Sequence, residues 1–173
     1  MNEVLNCLET RRSVRKYLPK QIADAELNAI LEAGIYAPTA MGRQSPKIVV
    51  LQKPEDVAEL ERMNAAVLGN PDSHPFYGAP TVLVVLADAK AGTAVEDGSL
   101  VLGNLMNAAH ALGVGSCWIH RAREEFASGE GKALLKRWGI EGDWDGVGHC
   151  ILGYAAEPAA PARPRKADSI VRV

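Results

Sequence analysis

Apolar residues recur along the chain at two spacings, one typical of helices and one typical of strands. Apolar positions three and four residues apart predict helices over 2–9, 24–36, 54–68, 95–112 and 130–138. Runs rich in branched apolar residues predict strands over 47–51, 81–87, 116–119 and 147–152. The run over 81–87 is continuously apolar, which is typical of a central strand covered on both faces. Together these elements predict one α+β domain with a mixed sheet.

Proline, glycine and a capping residue mark where several of these elements begin and end. Asp24 is the predicted N-cap of the second helix, which ends near Tyr36 because Pro38 disfavours a helical residue before it. Pro54 opens the third helix at a position where proline is tolerated. Gly113 ends the fourth helix, which is rich in small residues. Small residues allow either tight packing within the chain or the close approach of a cofactor, and the sequence leaves both open.

The last part of the chain, 154–173, differs from the rest. It contains three prolines and ends in an alternating segment around Ile170 and Val171. This composition predicts an extended C-terminal arm attached to a single domain that comprises residues 1–173. A partner subunit is the natural surface for such an arm, and a disordered tail is the alternative.

Composition and charge argue against several classes of protein. The chain has 173 residues and a formal net charge of −2, which gives no reason to expect nucleic acid or an anionic membrane as a partner. No apolar run is long enough to span a bilayer, and no secretory signal is recognisable. The three cysteines form no Cys-x-x-Cys pair and the four histidines are scattered. The sequence therefore predicts reduced thiols, a cytoplasmic location and no metal centre.

The basic segment Arg11-Arg12-Ser13-Val14-Arg15-Lys16 stands out in a chain of net negative charge. Guanidinium groups present planar forks of donors that match phosphate oxygens, and a serine hydroxyl adds a further donor. Two or three charge-assisted bonds of about 1.5–3 kcal/mol each could hold a phosphate monoester. A solvated basic loop is the alternative, and this segment alone favours it.

Three further stretches could carry chemistry. In 37–46, small residues and the amide of Gln44 follow a helix end, and 111–120 leads from a helix through two glycines into a strand. Backbone N–H groups at the far end of the second stretch could bond a ring nitrogen. The cluster Arg163-Pro164-Arg165-Lys166 lies in the arm and could meet the first basic segment at one phosphate. Each of these stretches, taken alone, is more typical of an ordinary connection or a solvated tail.

Taken in order, these stretches resemble the nitroreductase family of FMN-dependent enzymes. The ordered set is Arg-Arg-Ser-x-Arg, Ala-Pro-Thr-Ala-x-x-x-Gln, Ala-Pro before an apolar strand, Ala-Leu-Gly-Val-Gly-Ser-Cys-Trp-Ile, and Gly-Tyr before a proline-rich arm. The resemblance spans nearly the whole chain. It implies a nitroreductase-like α+β fold with a mixed, mainly antiparallel sheet flanked by helices. It also implies a homodimer that exchanges its terminal arms and binds FMN at two interface sites.

The resemblance implies roles for individual residues. Those that would bind the phosphate, ribityl chain and pyrimidine edge of FMN are Arg11, Arg12, Ser13 and Arg15. Those that would complete the phosphate site from the arm are Arg163 and Arg165. Those that the partner subunit would place near the flavin ring are Pro38, Thr39, Ala40 and Gln44. Those that would line the isoalloxazine, with one backbone N–H facing N5, are Ser116, Cys117, Trp118, Ile119 and His120.

The resemblance also implies the reaction. NADH or NADPH would reduce the flavin, leave, and be replaced by a small acceptor such as a nitroaromatic or a quinone, in a ping-pong mechanism without a catalytic side chain. The chain departs from many relatives at 41–43 and 45–46, which bears on substrate contacts more than on the phosphate site. It also departs at 120–121, where either residue could touch substrate or His120 could face solvent. Dehalogenation, oxidation of a substrate by O₂, flavin breakdown, a non-catalytic flavin-binding dimer and a cofactor-free domain stay open as alternatives.

Overall fold

Four strands form one sheet in the computed structural model, which describes residues 2–173. The strands are β1 (Pro46–Leu51), β2 (Thr81–Asp88), β3 (Gly115–Ile119) and β4 (Trp144–Gly153), in the order β1-β2-β4-β3. The three pairings between them are antiparallel. Within the described chain, parallel pairing is confined to an isolated bridge between Ser13 and Ser116. The expected mainly antiparallel sheet is therefore confirmed.

The buried strand β2 divides the core of the protein into two parts. Residues 81–87 are completely buried, with β1 on one side and β4 on the other. Alternate side chains point to opposite faces of a strand, so Leu83 and Val85 pack into one core while Val82 and Val84 pack into the other. The prediction of a central strand covered on both faces is confirmed.

Residues 2–173 contain six α-helices, five of which pack on the two faces of the sheet. They are α1 (Glu3–Thr10), α2 (Asp24–Ile35), α3 (Pro54–Leu68), α4 (Ala94–Ala111), α5 (Ala122–Ala127) and α6 (Gly129–Arg137). Side chains of α2 and α4 form the core on one face, and those of α3, α5 and α6 form it on the other. Five helices match the predicted ranges within one residue at each end. The sixth, α5, was not predicted, because six residues are too few to show a helical period.

The start of α2 differs from the prediction. Asp24 is the first helical residue and Ala23 is the N-cap, so the prediction of Asp24 as the cap was wrong. Glu26 stabilises this end instead, because its Oε2 accepts a hydrogen bond from the Ala23 N–H at 2.9 Å. The hydroxyl of Tyr154 donates to the same oxygen at 2.6 Å. That bond is the main cause that lowers the pKa of Glu26, and the Ala23 bond adds to it.

Small residues let α4 approach the sheet closely. A Cβ built on Gly98 would lie 2.5 Å from Cγ2 of Val147 on β4, which is a severe overlap. Gly103 faces open space, with none of the described atoms within 4 Å of an added Cβ. Tight packing within the chain therefore accounts for Gly98, whereas it does not account for Gly103.

The C-terminal arm begins against the N-terminal segment of the same chain. Tyr17 and Ala155 form an isolated antiparallel bridge, and Lys16 Nζ lies 2.9 Å from a carboxylate oxygen of Glu157. Residues 156–173 are exposed and contain no helix or strand. Exchange of this arm between two subunits stays a prediction. No helix within residues 2–173 has the length and apolar character needed to cross a membrane.

Candidate functional site

The two basic clusters of the sequence meet at one cavity. Arg11, Arg12 and Arg15 line it from the N-terminal segment, and Arg163 and Arg165 line it from the arm. We call these side chains the five-arginine cluster. The cavity has a volume of about 290 Å³, and Ser13 also lines it. No aspartate or glutamate is among the described residues that line this cavity, so its charge is strongly positive.

Backbone contacts fix the N-terminal side of this cavity. The Val14 N–H donates to the Ser116 carbonyl of β3 at 2.9 Å, and the Tyr17 hydroxyl donates to the Val14 carbonyl at 2.7 Å. Gly115 allows this close approach, because an added Cβ would lie 3.1 Å from the Cβ of Val14 and 3.0 Å from the Gly153 carbonyl oxygen. The basic segment is therefore held against the edge of the sheet rather than left as a solvated loop.

Buried donors in the cluster have no partner within the described chain. They are Arg11 Nη1 and Arg12 Nε, and the hydroxyl of Ser116 lacks a partner as well. The other end of the Arg12 guanidinium is occupied, since its Nη1 donates to the Glu9 carbonyl at 2.8 Å and the Arg11 carbonyl at 2.6 Å. Nearly all buried donors in folded proteins are paired. This arrangement fits an anionic group with several oxygen acceptors.

A histidine beside the cluster responds to its charge. His110 Nε2 lies 2.9 Å from Thr10 Oγ1, at the end of α1. Burial lowers the pKa of His110, and the positive charges of Arg11 and Arg12 lower it further. Its imidazole is therefore neutral near pH 7, and the cluster itself carries the positive charge.

The Pro38–Gln44 stretch lies at a different place. Thr39 and Gln44 line a second cavity of about 210 Å³ with Ile48 and Val101, and it shares no residue with the cavity of the five-arginine cluster. Pro38 and Gln44 are exposed, and Ala40 is half-buried. Within one chain, the loop predicted to contact the flavin ring therefore does not line the basic cavity.

Strand β3 offers its backbone more than its side chains. Ser116, Cys117 and Ile119 are buried, Trp118 is half-buried and His120 is exposed. The Cys117 thiol lies in the core, so a flavin contact at Cys117 is limited to its backbone. β3 pairs with β4 on one side only. The Ser116 carbonyl points to the outer edge of β3. Backbone N–H and carbonyl groups of residues two apart in a strand point to the same side, so those of Trp118 lie at that edge too.

The structure buries two carboxylates and one imidazole that the sequence did not single out. Asp97, on the first turn of α4, is 3% exposed and binds the loop before β1. Glu125 and His149 are both fully buried, with Oε2 and Nε2 2.5 Å apart. The latter pair lies in the core beside Phe76 and Phe126, away from the five-arginine cluster. No three His, Cys, Asp or Glu side chains within residues 2–173 are grouped so as to hold a metal ion.

Known proteins share this fold over its full length. A nitroreductase from Bacteroides fragilis with bound FMN has a TM-score of 0.91 and 34% identity, and all of both chains is covered. A nitroreductase from Desulfitobacterium hafniense with bound FMN has a TM-score of 0.89 and 30% identity, covering 100% of this chain and 99% of that one. Two solved proteins that share this fold therefore contain bound FMN.

Sequence comparison gives the same relationship. The Bacillus subtilis protein named FMN reductase [NAD(P)H] is 26% identical over 148 residues, which is 71% of this chain and 56% of that protein. Curated relatives from Methanothermobacter thermautotrophicus and Archaeoglobus fulgidus are 30% and 33% identical, and the chain spans 60% and 68% of their lengths. The model of the nitroreductase family matches residues 8–76 and 70–154. On this match and on the shared fold, the chain belongs to the nitroreductase family.

Proposed function

We propose that this chain binds FMN at the five-arginine cluster and acts as an FMN-dependent NAD(P)H oxidoreductase. Its acceptors would be nitroaromatics, quinones or similar small molecules, reduced by two electrons in a ping-pong mechanism. The observation that carries the proposal is the pair of buried, unpartnered donors, Arg11 Nη1 and Arg12 Nε, in a cavity that has no acidic lining residue. A phosphate monoester would satisfy both donors.

Different residues around the cavity would contact different parts of FMN. Arg11 and Arg12 would bind the phosphate from the N-terminal segment, and Arg163 and Arg165 would close over it from the arm. Arg15 would lie at the pyrimidine edge, where its positive charge would stabilise the negative charge of the reduced flavin. When bound, FMN would supply the redox chemistry by accepting hydride from NADH or NADPH and passing it to the acceptor. The unpaired backbone edge of β3 at Trp118 would orient the ring.

A homodimer would complete each site. Pro38, Thr39, Ala40 and Gln44 line or border a cavity separate from the basic one, and a second copy could bring this loop to the flavin. Apolar side chains of α1 support association, since Val4 is 66% exposed and Leu8 is 53% exposed. Such exposure is typical of a surface that another chain covers. Each subunit would then supply phosphate ligands to one site and ring contacts to the other.

The visible absorbance spectrum of the purified protein tests this function. We expect a flavin band that is released as FMN on denaturation and that bleaches on anaerobic addition of NADH or NADPH. A nitroaromatic or a quinone should then restore the band. A flavin band without bleaching would indicate a non-catalytic flavin-binding dimer. A colourless protein that does not take up added FMN would contradict the proposal.

The Arg15→Ala variant tests the role of the exposed arginine. We expect FMN to bind roughly tenfold more weakly or to be reduced more slowly, because one charge near the pyrimidine edge is lost. The measurements are the Kd of FMN and the rate of flavin bleaching by NADH. Arg123→Ala, which removes an exposed arginine from α5, is the matched control and should change neither. Unchanged affinity and rate in Arg15→Ala would remove Arg15 from the site.

A further inference from the structure

A single buried carboxylate bonds two points of the loop between α2 and β1, one in its middle and one at its end. Asp97 Oδ1 accepts a hydrogen bond from the Ala40 N–H at 3.0 Å. Its Oδ2 accepts from the hydroxyl of Ser45 at 3.2 Å and from that of Thr93 at 3.2 Å. Asp97 is 3% exposed and forms none of the salt bridges found within residues 2–173. Its charge is therefore compensated by these donors and by the N-terminal end of α4.

The loop between these two attachments has an unfavourable backbone conformation. Met41 has φ 57° and Gln44 has φ 51°, both in the left-handed region that residues with a side chain rarely adopt. Ala40 comes directly before the first of them and Ser45 directly after the second, so Asp97 binds the chain on both sides of the strain. Such conformations persist only where the surroundings hold them. The two bonds from Ala40 and Ser45 to Asp97 provide that constraint.

Helix α4 fixes neighbouring parts of the same region. The side chain of Asn104 donates to the Ala33 carbonyl near the end of α2 at 2.9 Å. Within the loop, the Gln44 N–H donates to Thr39 Oγ1 at 2.9 Å. The backbone of the loop is thus held from the inside, while Pro38 and Gln44 remain exposed on the outside. This arrangement suits a loop that presents a defined surface to a ligand.

We propose that Asp97 is a positioning residue for the flavin site. It holds the backbone of residues 38–45 in the conformation that contacts the flavin ring, and it does so without touching the cofactor. The inference rests on the proposed FMN function. It adds a residue from the buried turn of α4 to a site whose other predicted members lie at the basic cavity, the loop and β3.

Substitution of Asp97 separates this role from general stability. In Asp97→Ala we expect amide hydrogen exchange in residues 39–45 to accelerate by about tenfold or more, while the amides of β2 and β4 keep their protection. We expect FMN to bind about tenfold more weakly, with an altered visible circular dichroism spectrum of the flavin that remains bound. Asp97→Asn should recover part of both effects, because its side-chain oxygen can still accept from the Ala40 N–H.

Two further variants complete the comparison. Glu96→Gln removes the same charge from the same turn of α4, but Glu96 is exposed, so exchange, affinity and spectrum should stay at wild-type values. Ser45→Ala removes only one donor to Oδ2 and should give a smaller change of the same kind. It keeps the inference testable if Asp97→Ala does not fold.

The outcomes for Asp97 and for the FMN function can be told apart. Hydrogen exchange is measured on the apo protein, so it reports on the loop even if the protein does not bind FMN. Loop exchange within twofold of wild type in both Asp97→Ala and Ser45→Ala would overturn the positioning role. Faster loop exchange with unchanged FMN affinity and spectrum would also overturn it, because the loop would then not serve the flavin.

Discussion

Replacing both Arg11 and Arg12 with alanine is expected to weaken FMN binding by about 100-fold or more. Each charge-assisted hydrogen bond to a phosphate contributes about 1.5–3 kcal/mol, and every 1.4 kcal/mol changes the dissociation constant about tenfold. The double variant loses the two buried donors that have no partner within residues 2–173. The measurement is quenching of FMN fluorescence on titration of the apo protein. The protein should remain folded, because neither arginine forms one of the salt bridges of the described chain. The hydrogen bonds that Arg12 would lose are to the Glu9 and Arg11 carbonyls at the end of α1, a helix without buried residues.

The arm provides the matched comparison for this result. Arg163 and Arg165 line the same cavity, but their side chains are exposed. Exposed charges are more strongly screened by water and salt, so Arg163→Ala with Arg165→Ala should weaken binding only about tenfold. The loss should shrink as the salt concentration rises. Affinity within twofold of wild type in the Arg11/Arg12 double variant would place the phosphate elsewhere and overturn the proposed site.

The sequence predicted the elements and the basic cavity because both depend on short segments. Helical spacing and branched composition are properties of residues close in sequence, so β2 and five of the six helices could be placed within one residue at each end. The two arginine clusters are each contiguous in sequence, although about 150 residues separate Arg12 from Arg163. Their order among the other motifs, rather than either cluster alone, pointed to a shared phosphate site. The structure places both around one cavity.

The buried polar groups could not be predicted in the same way. Asp97 binds Ala40 and Ser45, which are 57 and 52 positions away. No local pattern in the sequence distinguishes Asp97 from the neighbouring Glu96. Glu125 lies on a helix too short to show a period, and His149 occupies a stretch of β4, 146–153, that otherwise holds apolar and small residues. Contacts of this kind exist only once the chain has folded, so they are absent from any window of the sequence.

The Glu125→Ala variant is expected to lower the free energy of unfolding by about 3–5 kcal/mol. Glu125 and His149 are both fully buried and bonded to each other. Removing one partner of a buried charged or polar pair leaves the other without compensation, which costs about this amount. The loss is a large part of the 5–15 kcal/mol by which most domains are stable. Urea unfolding of the apo protein, at fixed protein concentration, measures it.

A double variant shows whether the pair itself stabilises the fold. In Glu125→Leu with His149→Phe, apolar side chains replace both partners next to Phe76 and Phe126. Well-packed apolar replacements of buried pairs are often neutral or stabilising, so stability should return to within about 1 kcal/mol of wild type. FMN affinity should be unchanged, since neither residue lines the cavity of the five-arginine cluster. A loss under about 1 kcal/mol in Glu125→Ala would mean that water or a rearranged partner satisfies His149. The bond between Glu125 of α5 and His149 of β4 would then not contribute the expected stability.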